Sequence, residues 1–290
     1  MMIETVILTQ VFNGVILGLI YGLMAVGLTM IWSITDLPDF SQGGIYIITA
    51  YVAYWAITLF NVPYLLTIPI GALTGILLSV VFERIVYNRL RPSGVLSCLL
   101  AAIALFFLLE NVANALWTPK AKIMSVPETE VSIDLFGIIT TTFHRIIILI
   151  VSVLLFIIIH LFIKYTKIGM AMRAVAEDRE TTELMGVDTR MVYIATWALG
   201  GALTSVAAIL VSPLYAVWPG MGTLPLLKAL VVVILGGFGS IIGALIGGLI
   251  LGLVETIGAI YVSAAYQHGF AFVLLLLTLS LRPKGLFGRR

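Results

Sequence analysis

No charged side chain occurs between Phe40 and Phe82. One helical crossing of a bilayer takes roughly 20 apolar residues, so this stretch alone is long enough for two crossings. Asn61-Val62-Pro63 interrupts it near the middle, and residues of this kind are typical of a turn between helices. A soluble domain would have to expose part of so long an uncharged run to water. This stretch therefore predicts a pair of transmembrane helices.

The rest of the chain has the same character. Hydrophobic residues make up 61% of it and charged residues 10%, whereas a soluble domain carries about 25% charged residues. We therefore predict an all-α polytopic membrane protein, with about eight transmembrane helices in a single transmembrane domain of residues 1–290 and short broken or re-entrant segments between them. Cys98, the only cysteine, lies in an apolar run and is expected to be a buried, inert thiol.

The apolar runs also locate the individual crossings. The uncharged stretch 40–82 supplies two crossings, split by Asn61-Val62-Pro63, of which the second ends at Glu83-Arg84. The others lie at about 6–33, 95–117, 144–163, 191–215, 241–261 and 270–281. A further apolar run, Leu226–Leu235, contains Lys228 and is too short to cross alone, so it is expected to be a partial crossing or a re-entrant segment. The first crossing carries Gly14, Gly18 and Gly22, a spacing typical of close helix packing in lipid.

Basic residues predict which loops face the cytoplasm. Lysine and arginine are enriched in cytoplasmic loops, and here they gather in the connections 84–91 and 164–190 and near the C-terminus. The last group consists of Arg282, Lys284, Arg289 and Arg290, which predicts a cytoplasmic C-terminus. The connection at about 118–143 has low net basicity and is expected to lie outside. The N-terminus then also lies outside, provided that 226–235 crosses the membrane in whole or in part.

The connection at about 164–190 is the most charged part of the chain. Eight of the thirty charged residues (16 basic and 14 acidic) lie between Arg173 and Arg190. Asp178 is a good helix N-cap and Gly186 a good helix end, so a short helix is expected between them. A firm, charged helix between two membrane spans is a segment that another protein can grip. The candidate contact residues are Arg173, Glu177, Asp178, Arg179, Glu180, Glu183, Leu184, Met185 and Gly186.

Two segments are expected to interrupt helices at membrane depth. The first is TDLPDFSQGG at 35–44 and the second is Gly236–Ser240. Broken helices of transporters offer free backbone N–H groups to a solute, although the first segment suits an ordinary cytoplasmic hairpin equally well. The helices that follow the two breaks open with similar small-residue sequences, which is the pattern of an internal repeat. The candidate residues of a translocation path are Asp39, Ser41, Gln42, Gly43, Gly237, Gly239, Ser240 and Glu255.

The sequence lacks the motifs of nucleotide hydrolysis and of metal catalysis. It contains no Walker A motif, and its three histidines are scattered near the ends of the predicted crossings. We therefore expect no cofactor on this chain, and its net charge of +2 gives no indication of a nucleic-acid partner. A channel or ion-coupled carrier acting alone would need ionisable residues along a path, for which Glu110, Lys228 and Glu255 are candidates. A membrane-embedded enzyme has no constellation of side chains to support it.

Four segments carry recognisable motifs in a fixed order over nearly the whole chain. They are GLIYGLMAVGLTMIWSITDLPDFSQGGIYIITAYVA from Gly18, GMAMRAVAEDRETTELMGVDTR from Gly169, LLKALVVVILGGFGSIIGALIGGLILGLVE from Leu226 and RPKGLFG from Arg282. Together they resemble the LivH-type permease subunits of branched-chain amino acid ABC importers.

That resemblance implies partners and a location. Such a permease pairs with a second permease, of the LivM type or a second copy of itself, in the inner membrane of a prokaryote. Two cytoplasmic ABC ATPases, which bind ATP and Mg²⁺, and an external solute-binding protein complete the importer. The resemblance also places the ATPase-coupling helix within Arg173–Gly186 of this chain.

One segment departs from the family pattern. The family commonly reads NFAHGE after the first break, where this chain reads DFSQGG. Gln42 and Gly43 stand in place of a His-Gly pair, and Gly44 stands in place of an acidic residue. The function that the resemblance implies is inward transport of branched-chain or other hydrophobic amino acids. Related permeases carry urea, amides and other small solutes, and the departure leaves these solutes as alternatives.

Overall fold

A computed structural model describes residues 2–36, 38–135, 139–263, 266–282 and 285–287. The described elements are α1 (Met2–Thr35), α2 (Ser41–Phe60), α3 (Tyr64–Phe82), α4 (Asn88–Leu90), α5 (Val95–Trp117), α6 (Pro127–Glu130), β1 (Ser132–Leu135), β2 (Ile139–Thr142), α7 (Phe143–Tyr165), α8 (Lys167–Glu177), α9 (Arg179–Leu184), α10 (Thr189–Val211), α11 (Thr223–Gly236), α12 (Ile241–Tyr261) and α13 (Gln267–Leu281). The predicted all-α polytopic fold is confirmed. The predicted group of basic residues at the C-terminus includes Lys284, Arg289 and Arg290, which lie outside the described residues.

Within the described ranges, eight helices are long and apolar enough to cross a membrane, but the set differs from the predicted one. The run expected to be too short begins earlier, because a 3₁₀ turn at Pro219–Gly222 leads directly into α11. Proline fits the first turn of a helix, so a sequence that reads as an irregular loop extends the helix to the 18 residues of Pro219–Gly236. Conversely, α13, which contains the predicted crossing at 270–281, has only 15 residues and is not among the eight.

Helix α1 forms the centre of the bundle. Its most apolar window is 89% buried, against 28% for the windows of α3 and α5, whose exposed apolar side chains form the rim. The predicted glycine seam of α1 packs against α12, where a Cβ on Gly18 would lie 2.7 Å from the carbonyl oxygen of Gly248. A Cβ on Gly252 would lie 2.2 Å from the carbonyl oxygen of Gly14. Both helices therefore need glycine to bring their backbones into contact.

Helix α3 continues beyond its predicted end at Glu83. A π-helical turn, Glu83–Tyr87, joins it to α4 and to a 3₁₀ turn at Arg91–Ser93, so the helical rod reaches from Tyr64 to Ser93. The basic residues that suggested a loop therefore lie on a helix that extends past the apolar span. A π turn rotates the following residues relative to an α-helix, and such turns are frequent at functional sites.

The two ends of the bundle differ in structure. Helices α5 and α10 run in the same direction, and the segments that follow them meet in an antiparallel bridge between Lys122 and Val217. This end also carries the hairpin of β1 and β2, in which Ser132 pairs with Thr142. The opposite end, which we call the basic end, carries α8, α9 and Arg91.

Candidate functional site

The charged segment of the basic end folds as two helices rather than the single short one predicted. The additional helix, α8, is capped by the hydroxyl of Thr166, which accepts a hydrogen bond from the Gly169 N–H. Its apolar residues recur at helical spacing, and Met172 and Val175 are buried against the bundle. Side-chain packing thus fixes α8 to the membrane domain.

The caps of α9 lie where the sequence predicts them. The Asp178 carboxylate accepts a hydrogen bond of 3.1 Å from the Thr181 N–H, and the Thr181 hydroxyl also donates to it. These two bonds lower the pKa of Asp178, so the capping charge is present at neutral pH. Gly186, with a φ of +84°, ends the segment in a conformation that favours glycine. Asp188 then caps α10 by accepting from the Arg190 N–H.

The predicted contact residues of this segment have three different surroundings. The Arg173 guanidinium donates to the carbonyl oxygen of Ile163 at 2.8 Å and so anchors α8 to α7. Glu183 accepts from Arg179 at 2.9 Å, and this pairing lowers the pKa of the Glu183 carboxyl. The remaining described members, Glu177, Glu180, Leu184, Met185 and Gly186, are exposed.

Leu184 and Met185 form an apolar pair at the tip of the basic end. They are 87% and 81% exposed, beyond the charged turn that carries Glu180 and Glu183. Neither side chain covers the bundle. Because α9 is capped at its start and followed by a cap of α10, the pair is presented on a short, firm support.

A cavity of about 310 Å³ lies between this segment and the rest of the bundle. The end of α1, the turn that follows α3, the start of α5, the junction of α8 with α9 and the start of α10 line it. Its lining side chains include Asp36, Arg91, Glu177, Arg179 and Trp197. Both signs of charge and several aromatic rings thus meet in one space, which the sequence analysis did not predict.

Aromatic and guanidinium groups connect α9 to the interior along one wall of this cavity. The Arg179 guanidinium lies 5.4 Å from the Tyr193 ring centroid, and that of Arg91 lies 3.6 Å from the same centroid. The Tyr87 and Trp197 rings, whose centroids are 5.3 Å apart, continue this wall inward. Arg91 also pairs with the buried Glu83 at 3.3 Å.

The first predicted break lies at the inner end of this wall. The buried Asp39 carboxylate accepts from the Tyr87 hydroxyl, from the Ser41 N–H at 3.0 Å and from the Gln42 side-chain amide at 3.0 Å. The Asp39 carboxylate therefore satisfies the first backbone N–H of α2. Gly43 brings α2 close to α5, since a Cβ there would lie 3.0 Å from the Phe106 ring.

The second predicted break lies beside the end of α1. Gly237 and Gly239 adopt positive φ values of 94° and 79°, which explains why glycine is needed at both. The Ser240 hydroxyl then caps α12 by accepting from the Gly243 N–H at 3.0 Å. Phe238 between them contacts the ring of Trp32, with 4.5 Å between centroids. None of the eight predicted path residues lines the 310 Å³ cavity, and their role in a path stays a prediction.

Glu255 belongs to a buried polar cluster. It accepts from the Lys228 ammonium at 2.8 Å and from the Tyr21 hydroxyl at 3.1 Å, and the ammonium also donates to Tyr21 at 2.8 Å. The cluster joins α1, α11 and α12 inside the membrane domain. Sequence reasoning singled out Lys228 and Glu255 separately but not their pairing. Among the described residues, no group of three or more His, Cys, Asp or Glu could hold a metal ion.

Comparisons with known proteins give the chain a family. The family described as "Branched-chain amino acid transport system / permease component" matches residues 10–279. The high-affinity branched-chain amino acid transport system permease protein BraD of Pseudomonas aeruginosa is 34% identical over 97% of this chain and 96% of its own length. LivH of Salmonella typhimurium, a permease protein of the same description, has the same identity and coverage.

A more distant relative extends the comparison. The probable branched-chain amino acid transport permease protein LivH of Methanocaldococcus jannaschii is 28% identical over 92% of this chain and 88% of its own length. No solved structure matches the chain. The family match covers the helical bundle and the capped basic segment alike, and the chain therefore belongs to the family of permease components of branched-chain amino acid transport systems.

Proposed function

We propose that this chain is the membrane subunit of an ABC importer for branched-chain or other hydrophobic amino acids in a prokaryotic inner membrane. The basic end faces the cytoplasm, together with the C-terminus, and two partner ATPases bind there. A second permease subunit, of the LivM type or another copy of this chain, completes the membrane part. An external solute-binding protein delivers the amino acid at the end that carries β1 and β2.

The exposed apolar pair at the end of α9 carries this proposal. Leu184 and Met185 are more than four-fifths exposed in a segment whose own apolar face, at Met172 and Val175, is buried. Apolar side chains gain free energy by leaving water, and an apolar pair ringed by charges is typical of a protein contact. ATP-driven movement of an ATPase bound to this tip would reach the bundle through α8 and through the Arg179–Tyr193 contact.

A double substitution at this tip tests the proposed coupling. Leu184→Asp with Met185→Asp is expected to lower ATP-driven uptake of labelled leucine at least tenfold, a loss that corresponds to about 1.4 kcal/mol of contact free energy. Recovery of the ATPase in a pull-down with the permease should fall in parallel. The thermal stability of the permease should stay unchanged, because neither side chain packs against the bundle.

A matched control separates docking from a general effect of exposed aspartates. Ile123 is 82% exposed in the connection at the opposite end, so Ile123→Asp makes the same change away from the proposed ATPase contact. It should leave ATPase recovery at the wild-type level. Full uptake by the Leu184/Met185 double variant, with ATPase bound, would show that α9 is not the coupling contact.

The structure also bears on the alternative solutes. Gln42, the residue that departs from the family pattern, is buried. Its side-chain N–H donates to Asp39 of the same break, whereas its side-chain carbonyl oxygen has no hydrogen-bond partner among the described residues. The Gln42 side-chain N–H is therefore used inside the subunit rather than left for a solute. Uptake measured in parallel for leucine, valine, urea and acetamide decides between the solutes, and uptake of urea or acetamide without the amino acids would replace the proposal.

A further inference from the structure

The 310 Å³ cavity behind α9 carries donors, acceptors and apolar walls that the fold itself leaves unused. We propose that it is a binding site, open to the basic end of one subunit, for a zwitterionic amino acid with an apolar side chain. The class of ligand and the cytoplasmic side rest on the proposed function. The site differs from the predicted path residues, none of which lines it.

The donor side of the site is Trp197 together with Arg91. The Trp197 ring lines the cavity and the residue is 1% exposed, yet its indole N–H has no hydrogen-bond partner within the described part of the chain. A buried donor without a partner costs free energy of about 1–3 kcal/mol, which a bound acceptor would relieve. The Arg91 guanidinium has five N–H donors, of which the ion pair with Glu83 uses one. These groups suit the carboxylate of an amino acid.

The acceptor side is formed by Asp36 and Glu177. Both residues are exposed and line the same cavity, and neither forms an ion pair or a hydrogen bond through its side chain with another described residue. The arginines of the lining already have carboxylate partners, Glu83 for Arg91 and Glu183 for Arg179. Two unpaired carboxylates beside two paired guanidinium groups suit the ammonium group of a ligand, which donates three hydrogen bonds.

The remaining walls are apolar or aromatic. Val95 and Cys98 from α5, Val175 and Ala176 from α8, and the Tyr87 ring line the space between the charged groups. A volume of about 310 Å³ lies at the lower end of the range of small-ligand pockets, and it suits one amino acid better than a nucleotide. Opposite charges, an unused donor and an apolar wall together match a hydrophobic zwitterion.

Equilibrium binding to the assembled transporter tests the site. The permease with its ATPases, in nanodiscs without ATP and without the external binding protein, is titrated with labelled leucine. Trp197→Phe keeps an aromatic wall and removes the N–H, and Asp36→Asn keeps the local backbone, because asparagine also tolerates the φ of +56° found there. Each variant is expected to weaken leucine binding about tenfold.

The control is a buried unpartnered group elsewhere. The Tyr46 hydroxyl is buried without a partner among the described residues and lies outside the cavity lining, so Tyr46→Phe should leave leucine binding unchanged. Isoamylamine lacks the carboxylate of leucine and isocaproate lacks its ammonium group, and both should bind at least tenfold more weakly than leucine. Retained thermal stability and ATPase activity show that each variant is folded.

Only one pattern of results supports the proposal: saturable leucine binding that is weakened by both variants and by both analogues. Absent wild-type binding, or binding that either variant leaves intact, overturns it. Leucine uptake by the complete importer, with binding protein and ATP, is measured separately. If leucine binds and both variants weaken it but the importer takes up no leucine, the proposed function is refuted and the site stands. If uptake is normal but no such binding is found, the site is refuted and the proposed function stands.

Discussion

The buried charges at Lys228 and Glu255 are costly residues to place in a membrane domain. A charged side chain at the centre of a bilayer costs at least about 2.5–3.5 kcal/mol, and such residues are normally paired with one another. Here the ammonium and the carboxylate lie 2.8 Å apart, and the Tyr21 hydroxyl contacts both. The pairing turns two unfavourable residues into a link between α11, α12 and α1. Among the residues that the structure describes, one carboxylate oxygen of Glu255 has no partner and is buried.

Removing one member of this pair should cost more than removing both. Lys228→Met leaves the Glu255 carboxylate buried alone and is expected to lower the free energy of unfolding by about 3–5 kcal/mol. Glu255→Gln should cost a similar amount because it leaves the ammonium unpaired. The double variant should recover most of the loss, as measured by equilibrium unfolding in mixed micelles. Additive losses in the double variant would mean that the two charges do not stabilise each other.

Among the elements, α1 and α12 are joined by glycines rather than by large side chains. Lipid tails are as apolar as leucine, so helices in a membrane associate through close packing and not through the hydrophobic effect. A Cβ on Gly252 would lie 2.2 Å from the carbonyl oxygen of Gly14, closer than real Cβ contacts. The seam therefore fixes the distance between the two helices.

Two identical substitutions test that seam. Gly252→Ala should separate α1 from α12 and destabilise the permease by about 1–3 kcal/mol, because the backbone cannot yield as a side chain does. Gly269→Ala in α13 is the control, since a Cβ there meets nothing within 4 Å. Alanine favours helix over glycine, so the control should be neutral or stabilising by about 0.5–1 kcal/mol. Equal thermal stability of the two variants would exclude the seam as a packing constraint.

At the scale of the whole molecule, charge separates the two ends of the bundle. Arg91, Arg173 and Arg179 lie at the basic end, whereas the opposite end has the β1–β2 hairpin and the bridge at Lys122. Positive residues flanking short loops are retained on the cytoplasmic side during insertion, so this asymmetry sets the proposed orientation. In the proposed orientation, α9 would lie on the side where cytoplasmic ATPases bind.

Cysteines added at the two ends test the orientation. Cys98 is 3% exposed and should react slowly with a membrane-impermeant maleimide. Lys120→Cys and Glu180→Cys place exposed thiols at the outer and basic ends, respectively. In intact cells only Lys120→Cys should be labelled, and in inside-out vesicles only Glu180→Cys. The reverse pattern would place the basic end outside and refute the proposed ATPase contact.

The features that the sequence alone determined, the membrane crossings and the helix caps, depend on residues close to one another in the chain. The length of an apolar run decides where a chain crosses a membrane, and the Asp178 cap and the Gly186 end act within a few residues of themselves. The same local rules misjudged α3 and α11, because a π turn and a 3₁₀ turn extended helices through residues that read as loops. They also left α8 unresolved, since its helical spacing lies inside a charged segment.

Only the tertiary structure decided which distant residues meet. Tyr21 and Glu255 are 234 residues apart and Tyr87 and Asp39 are 48 apart, and no spacing rule connects either pair. The cavity behind α9 likewise draws its walls from five separate parts of the chain. Helix packing brings these groups together, because glycine contacts and the π turn set how far apart each helix lies and which way its side chains face.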